Sequence, residues 1–161
     1  MERVILCLGS NEGERAEWLA FARERLVALP QTRLIAQSAI RQTLPVDVPE
    51  PYRDRLFLNQ ILLLESGLSP LDFSRLMHGI EDAAGRIRGP VRNTPRTLDI
   101  DMIVFGERQM ETPELTLPHP RAHERLFVLE PLAEILPDFR LPGKGDKTVT
   151  EIMNGLLEKE G

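Results

Sequence analysis

The hydrophobic and polar positions of the chain follow two periods, which predict strands alternating with helices. Stretches dominated by apolar residues at 4–8, 55–65 and 100–105 are typical of buried strands. A helical spacing of apolar residues covers 14–29 and stops at Pro30, which predicts the first long helix. A weaker alternation at 33–41 predicts one more strand between that helix and the 55–65 stretch.

The boundaries of the second long helix can be read from its capping residues. Ser69 suits the N-cap, Pro70 suits the first helical position, and Asp72 two residues later suits the positive end of the helix dipole. Apolar residues continue at helical spacing from there, and the helix is predicted to end near Gly85.

Two further helices are predicted in the last third of the chain. A short one covers 127–135 and is expected to be interrupted by Pro131, and an amphipathic one covers 148–158 with Thr148 as its cap. The leading elements follow the order β, α, β, β, α, β. This order predicts an α+β fold, a ferredoxin-like sandwich whose largely antiparallel central sheet is flanked by helices.

Composition limits the domain count and the partners. The chain has 161 residues, of which 42% are apolar and 28% are charged, which suits a single domain over 1–161. Its net charge of −5 gives no general attraction for nucleic acid or for an anionic membrane. The apolar run at 4–8 is too short for a signal peptide or a membrane span. We therefore expect a cytoplasmic monomer that binds small molecules.

Two acids interrupt the predicted strand at 100–105. Because side chains on a strand alternate between its faces, Asp99 and Asp101 are expected to point the same way, a few ångströms apart. Two like charges at that spacing on an apolar strand are costly unless a cation lies between them. Hard carboxylate oxygens suit Mg²⁺. Acid pairs also occur at strand ends and in solvated turns, so the pair alone is a weak signal.

A cationic stretch precedes the acids. Residues 86–96 hold four arginines and no acid; the arginines are Arg86, Arg88, Arg92 and Arg96. Guanidinium groups match phosphate oxygens, although an ordinary salt-bridged loop would use the same residues. The strand acids and the arginines together predict a Mg²⁺-dependent phosphoryl-transfer site.

Several polar positions elsewhere are candidates for the same site. The proline-rich segment 43–51 suits a rigid pocket wall or a plain surface connection. Asn59, in the predicted third strand, requires hydrogen-bond partners from the backbone or from a polar ligand. His119 lies between two prolines, and Arg121 and Arg125 follow it, which suits either a phosphate-facing loop or a loop with an incidental histidine.

Known nucleotide and zinc motifs are absent from the sequence. It contains no G-x-x-x-x-G-K-[ST] phosphate loop, no G-x-G-x-x-G fingerprint and no Cys/His cluster with zinc spacing. If a nucleotide binds, metal and arginine are expected to hold its phosphates.

The chain resembles the folate-pathway family of 6-hydroxymethyl-7,8-dihydropterin pyrophosphokinases. The resemblance rests on the long signature R-x-x-P-R-T-L-D-I-D-M-I at 92–103, and it extends from the Gly-Ser-Asn turn at 9–11 to the Pro-Leu pair at 131–132. It implies transfer of pyrophosphate from ATP to the hydroxymethyl group of the pterin, giving AMP. Asn93, Thr94 and Gly89 depart from residues found in relatives.

The resemblance also implies roles for individual residues. Those expected to take part in the transfer are Arg86, Arg96, Asp99 and Asp101, and the two aspartates are expected to bind two Mg²⁺ ions. The expected ATP contacts are Glu81, Arg86, Arg88, Arg96, His119 and Arg125. The expected pterin contacts are Thr43, Val46, Phe57, Asn59 and Phe127, with the two phenylalanines stacking on the pterin ring.

Two other functions compete with this reading. A nucleotidyltransferase or nuclease could use the same acid pair on a nucleic acid, but the chain lacks a basic stripe. A ferredoxin-like module that only binds a ligand is a second possibility, because that architecture hosts many functions. It would leave the acids and the arginines without a purpose.

Overall fold

The computed structural model of the chain describes residues 1–44, 56–85 and 97–160. Four of the residues predicted to form the site therefore lie outside the described residues. These four are Val46, Arg86, Arg88 and Arg96.

The described elements follow the predicted order. The strands are β1 (Glu2–Ser10), β2 (Thr32–Gln37), β3 (Arg41–Thr43), β4 (Phe57–Ser66), β5 (Asp99–Phe105), β6 (Met110–Glu111) and β7 (Thr116–Leu117). The α-helices are α1 (Arg15–Val27), α2 (Pro70–Ala83), α3 (Leu126–Ile135) and α4 (Val149–Glu160), and a short 3₁₀ turn covers Ala122–Glu124.

The main sheet has the order β2-β4-β1-β5, and β3 pairs with β4 beyond the end of β2. Each of these pairings is antiparallel. The strands β6 and β7 form a separate hairpin. The ferredoxin-like α+β fold predicted from the order of elements is confirmed.

Each face of the main sheet carries its own apolar core. On one face, which we call the α1–α2 face, strand residues such as Leu6, Leu62 and Ile100 pack with α1 and α2. On the other, the α3–α4 face, Cys7 and Ile61 are among the strand residues that pack with α3 and α4. The period of two along each strand produces these two cores.

The helix caps agree with the sequence. Ser69 accepts a hydrogen bond from the Asp72 N–H at 3.2 Å and begins α2. Thr148 and Glu151 form a reciprocal capping box at the start of α4, because the Thr148 N–H donates to Glu151 Oε1 at 2.9 Å and the Glu151 N–H donates to Thr148 Oγ1 at 3.2 Å.

The strand predicted at 33–41 is broken in two. At the break, Ser38 donates its N–H to the Ile61 carbonyl at 2.9 Å, and its hydroxyl oxygen accepts the Ile61 N–H at 2.9 Å. This contact with β4 replaces regular strand pairing in the segment between β2 and β3, both of which pair with β4. Thr43, predicted to lie in a proline-rich wall, ends β3.

The helix predicted at 127–135 was expected to be interrupted by Pro131, but α3 continues through that residue. A proline inside a helix removes one backbone hydrogen bond. Here the proline is buried beside Val128, Leu129 and Leu132. Burial of its apolar ring offsets part of the cost of the missing bond.

A bulge in β5 follows the two acids. The pairing with β1 shifts so that Leu6 lies opposite Met102 while Ile5 lies opposite Val104, and Ile103 is the extra residue. The Ile103 carbonyl accepts a hydrogen bond from the His119 N–H at 2.9 Å. The bulge therefore connects β5 to the loop that carries His119.

The helices of the described residues are too short or too polar to cross a membrane.

Candidate functional site

The strand β5 places its two acids on the α3–α4 face. Asp99 lies opposite Gly9 of β1 and Asp101 lies opposite Cys7, while Ile100 between them packs into the core of the α1–α2 face. The two aspartates are both half-buried. The period-two prediction that they share one face is consistent with this register.

The charges of the acids reach the buried thiol of Cys7. Burial is the main cause that raises the pKa of Cys7, and the negative charges of Asp101 and Asp99 raise it further. The positive charge of Arg125 lowers it. Cys7 is 4% exposed. The two carboxylates and the guanidinium group of Arg125 therefore act on a thiol that is buried under the site.

The loop before α3 brings a neutral imidazole to the same place. Burial, the charge of Arg125 and that of Arg121 lower the pKa of His119 to about 4, against an opposing effect of Asp99. The Arg121 N–H donates to His119 Nδ1 at 3.2 Å. In a neutral ring whose Nδ1 accepts a hydrogen bond, the proton is on Nε2. At pH 7 His119 can therefore donate a hydrogen bond through Nε2.

Arg125 stands between this loop and a cavity. It is the N-cap residue of α3, and its guanidinium carbon lies 5.5 Å from the centroid of the Phe127 ring. That distance allows a cation–π contact.

The cavity has a volume of about 850 Å³. Its lining comes from β3 and the residue after it, from residues 124–131, and from α4: Arg41, Gln42, Thr43, Leu44, Glu124, Arg125, Leu126, Phe127, Glu130, Pro131, Leu156 and Lys159.

The size of this cavity suits a small organic ligand. Two of the residues predicted to contact the pterin, Thr43 and Phe127, line it. Asn59 is 4% exposed and donates a hydrogen bond from Nδ2 to Thr43 Oγ1. Phe57 lies opposite Thr43 in the β3–β4 pairing. These four residues are thus neighbours around one end of β3.

A cross-strand row connects the cavity side with the acids. Gly9 of β1 lies opposite Asn59 on one side and opposite Asp99 on the other. Since neighbouring strands are about 4.8 Å apart, the backbones of Asn59 and Asp99 are separated by about 10 Å. A methyl group placed on Gly9 would lie 3.2 Å from Asn59 Oδ1 and 3.5 Å from Phe57 Cδ1. The missing side chain of Gly9 keeps the middle of this row open.

Glu81, predicted to contact ATP, is fully buried in α2. Its Oε2 accepts a hydrogen bond from the Ile100 N–H at 2.8 Å, and its Oε1 lies 2.8 Å from His78 Nδ1. The prediction that Glu81 contacts ATP stays a prediction, as do the roles assigned to the other predicted residues.

The donor set suits a cation shared with a substrate. In the described parts of the chain, no group of three or more His, Cys, Asp or Glu side chains is arranged to hold a metal ion. Mg²⁺ usually keeps several waters and takes one or two carboxylates together with substrate phosphates. Asp99 and Asp101 fit this requirement, since they offer hard oxygens on one side of β5.

The sequence reasoning missed Arg41. This residue lines the cavity, and its guanidinium group lies 3.1 Å from Glu134 and 3.5 Å from Glu130 of α3. It therefore ties β3 to α3 across the cavity rim. A signal was present, because Arg41 precedes Thr43 by two residues and so shares its side of the strand.

The sequence of the chain is similar to those of known proteins. Residues 5–137 match the family described as 7,8-dihydro-6-hydroxymethylpterin-pyrophosphokinase (HPPK). A relative from Pseudomonas aeruginosa is 39% identical over 142 residues, which cover 88% of this chain and 85% of the relative. One from Bacillus subtilis is 35% identical over 157 residues, which cover 97% and 91%. Both are named 2-amino-4-hydroxy-6-hydroxymethyldihydropteridine pyrophosphokinase.

Solved structures share the fold at low sequence identity. The HPPK-DHPS of Plasmodium falciparum, solved with pteroate, superposes with a TM-score of 0.76 at 14% identity and covers 98% of this chain. An HPPK-DHPS solved in complex with substrates gives a TM-score of 0.74 at 13% identity. This chain spans 43% and 44% of the lengths of those two chains.

Proposed function

Because the chain belongs to the 7,8-dihydro-6-hydroxymethylpterin-pyrophosphokinase family, we propose that it transfers pyrophosphate from ATP to 6-hydroxymethyl-7,8-dihydropterin. In this reaction the hydroxymethyl oxygen attacks the β-phosphorus of ATP and the bond to the α-phosphate breaks. The products are AMP and the pterin diphosphate, an intermediate of tetrahydrofolate biosynthesis.

The observation that carries this proposal is the cross-strand row Asn59, Gly9 and Asp99. Its two ends differ in chemistry, since the amide of Asn59 can orient a heterocycle and the carboxylate of Asp99 can hold a cation. A separation of about 10 Å between their backbones suits a pterin at one end and a triphosphate at the other. The row would bring the hydroxymethyl group and the β-phosphate together above Gly9.

We assign Mg²⁺ to Asp99 and Asp101, with two ions shared between these carboxylates and ATP. When bound, Mg²⁺ would neutralise charge on the β- and γ-phosphates. Their register opposite Gly9 and Cys7 places both carboxylates on one face of β5, which supports this assignment. Arg86 and Arg96 are assigned to the migrating phosphates on the strength of the family resemblance alone.

The remaining ATP contacts are assigned to His119, Arg125 and Arg88. The neutral ring of His119 can donate its Nε2 proton to a phosphate or ribose oxygen without repelling Arg125 or the metal. Arg125 supplies a permanent positive charge beside it. This pair of groups favours an anionic ligand over a neutral one.

The pterin is assigned to the cavity beside β3. The ring of Phe127 would stack on the pterin, with Phe57 on its opposite side, and Thr43 and Asn59 would hydrogen-bond its edge. The backbone of Val46 is assigned to the same edge from the sequence. Aromatic stacking supplies affinity, and the polar groups fix orientation.

We assign this activity to one domain over 1–161. The helix α4 lies beyond the matched residues 5–137, but Val149, Ile152 and Leu156 pack into the core of the α3–α4 face. Leu156 and Lys159 also line the cavity. The monomeric state and the cytoplasmic location stay predictions.

The test is the identity of the nucleotide product. The chain is mixed with ATP, Mg²⁺ and 6-hydroxymethyl-7,8-dihydropterin, and the nucleotides are separated by chromatography. We expect AMP to form in equal amount to the pterin diphosphate, and no AMP when the pterin or Mg²⁺ is left out. Formation of ADP, or no turnover, would overturn the proposal.

A further inference from the structure

A fully buried carboxylate stands behind the acid pair. The side chain of Glu81 on α2 is 0% exposed, so its charge has no contact with solvent. A buried carboxylate is strongly destabilising unless hydrogen bonds compensate for the lost water. Here Oε2 accepts the Ile100 N–H at 2.8 Å, and Oε1 is held by His78 Nδ1 at 2.8 Å.

The position of Ile100 gives the first of these bonds its importance. Ile100 is the residue between Asp99 and Asp101, and β5 stands at an edge of the main sheet, where β1 is its sheet neighbour. Backbone groups of successive strand residues point to opposite edges. An Ile100 N–H that bonds Glu81 therefore points away from β1, and the backbone groups of the two aspartates point towards it.

Among the residues that the structure describes, no strand of the main sheet pairs with β5 on this side, and Glu81 supplies the hydrogen-bond acceptor that such a strand would offer. Without it, the outer edge of β5 would have an unpaired buried N–H at the residue that separates the acids. An edge strand that is hydrogen-bonded on one side only can twist more freely. Twisting at Ile100 would change the distance between the carboxylates of Asp99 and Asp101. The cation assigned to those carboxylates requires a defined distance.

We propose that Glu81 is a positioning residue whose buried carboxylate fixes the backbone between Asp99 and Asp101 from the outer edge of β5. This inference rests on the proposed function, and it differs from the direct ATP contact predicted from the sequence. His78, which is half-exposed, contacts the second oxygen of this carboxylate, Oε1.

The conservative variant Glu81→Gln tests whether Glu81 acts through its hydrogen bonds or through its negative charge. In Glu81→Gln the amide oxygen can still accept the Ile100 N–H, and the amide N–H can donate to His78 Nδ1. In Glu81→Ala both contacts are lost. Glu17→Ala serves as a matched control, because Glu17 is an exposed glutamate in the first turn of α1.

The first measurement needs neither substrates nor metal. Hydrogen exchange of the Ile100 amide is followed by NMR on the protein alone. We expect Glu81→Ala to lose the protection of that amide while the amide of Leu6 in the middle of the sheet stays protected. Glu81→Gln and Glu17→Ala are expected to retain the Ile100 protection. An Ile100 amide that stays protected in Glu81→Ala would overturn the proposal.

The second measurement uses the complete reaction. We expect Glu81→Ala to lower kcat on the order of 100-fold, to raise the Mg²⁺ concentration needed for half-maximal rate, and to leave the KM for ATP nearly unchanged. Glu81→Gln should stay within a few-fold of the wild type. A raised KM for ATP with unchanged kcat and Mg²⁺ requirement would instead support a direct ATP contact and overturn the positioning role.

A milder variant covers the case in which Glu81→Ala does not fold. His78→Ala removes only the contact to Oε1, from a side chain that is 44% exposed. It should show a smaller change of the same kind in both Ile100 exchange and kcat, and no change in either would contradict the proposal. A wild-type chain that forms no AMP would refute the proposed function, whereas the exchange experiment would still test the Glu81 contact.

Discussion

The two faces of the main sheet use the same strands for different purposes. On the α1–α2 face, the strand side chains pack into the core as far as Leu8 of β1 and Ile100 of β5. On the α3–α4 face, the apolar residues stop at Cys7 and Ile61, and the polar row through Gly9 follows. Both faces are covered by helices, but alternation along each strand lets one face stay apolar to its end while the other also carries the site.

The difference shows how a small domain can tolerate acids in its central sheet. Asp99 and Asp101 replace apolar side chains on one face only, while Ile100 and Met102 keep their places in the opposite core. Removal of an acid should therefore affect chemistry more than stability. Removal of an apolar side chain on the α1–α2 face should do the reverse.

The largest effect is expected for Asp101→Asn. The two side chains have nearly the same size, but the amide is a poor ligand for Mg²⁺, so we expect the rate of AMP formation to fall on the order of a thousandfold. The melting temperature should change by no more than a few degrees, because the core of the α1–α2 face is untouched. Steady-state kinetics and calorimetric melting give both values.

Asp138→Asn is the matched control, because Asp138 is an exposed acid outside the regular elements. It should leave the rate unchanged. Global unfolding of Asp101→Asn, or a rate within tenfold of the wild type, would contradict the division between the two faces.

The opposite effect is expected for Leu19→Ala on α1. Leu19 is fully buried in the core of the α1–α2 face, and its truncation should lower the free energy of unfolding by about 2–5 kcal/mol. At a temperature where the variant stays folded, kcat should remain close to the wild-type value. Urea titration and kinetics measure the two quantities. Leu19→Met, which keeps the volume, should cost less than about 1.5 kcal/mol.

Sequence periodicity was sufficient to predict the fold because each face of each element repeats locally. Two features of the main sheet were missed: the break at Ser38 and the bulge at Ile103. The break depends on two bonds to Ile61, and the bulge depends on the register with β1. Neither contact leaves a local pattern, because both join residues far apart in the sequence.

The acid pair could be predicted from the sequence, because a spacing of two residues places both acids on one face of a strand. The bond from Glu81 to the Ile100 N–H could not be predicted, because it depends on how α2 lies against the outer edge of β5. The ion pairs of Arg41 with α3 likewise need a helix about 90 residues later in the chain to fold back onto β3.

An intermediate effect is expected for Phe127→Ala at the cavity. Loss of an aromatic stacking surface should weaken pterin binding by about 1–3 kcal/mol, while ATP binding changes less. Isothermal titration calorimetry with the pterin and, separately, with an ATP analogue compares the two losses. Phe127→Leu keeps an apolar side chain against the core and should recover stability but not pterin affinity. Equal losses for both ligands would contradict the stacking assignment.

The smallest effect is expected for Glu134→Gln, at the rim of the α3–α4 face. The Ala39 N–H donates to Glu134 Oε2 at 2.8 Å and Arg41 donates to Oε1 at 3.1 Å, and these contacts lower the pKa of Glu134. A carboxylate with a depressed pKa in the folded state stabilises the protein above its unfolded value, near 4.5, and this contribution disappears as the pH falls through the folded value.

Because the pair is open to solvent, Glu134→Gln should reduce the free energy of unfolding by less than about 1 kcal/mol at pH 7. The difference from the wild type should shrink as the pH falls below 4.5. Urea titrations at pH 7 and at pH 3 measure it, with Glu17→Gln as an exposed control. The same variant should weaken pterin binding slightly and leave ATP binding unchanged, since Arg41 lines the cavity through β3. A stability loss as large as that of Leu19→Ala would mean that the α3–α4 face depends on its polar contacts as strongly as the α1–α2 face depends on its apolar core.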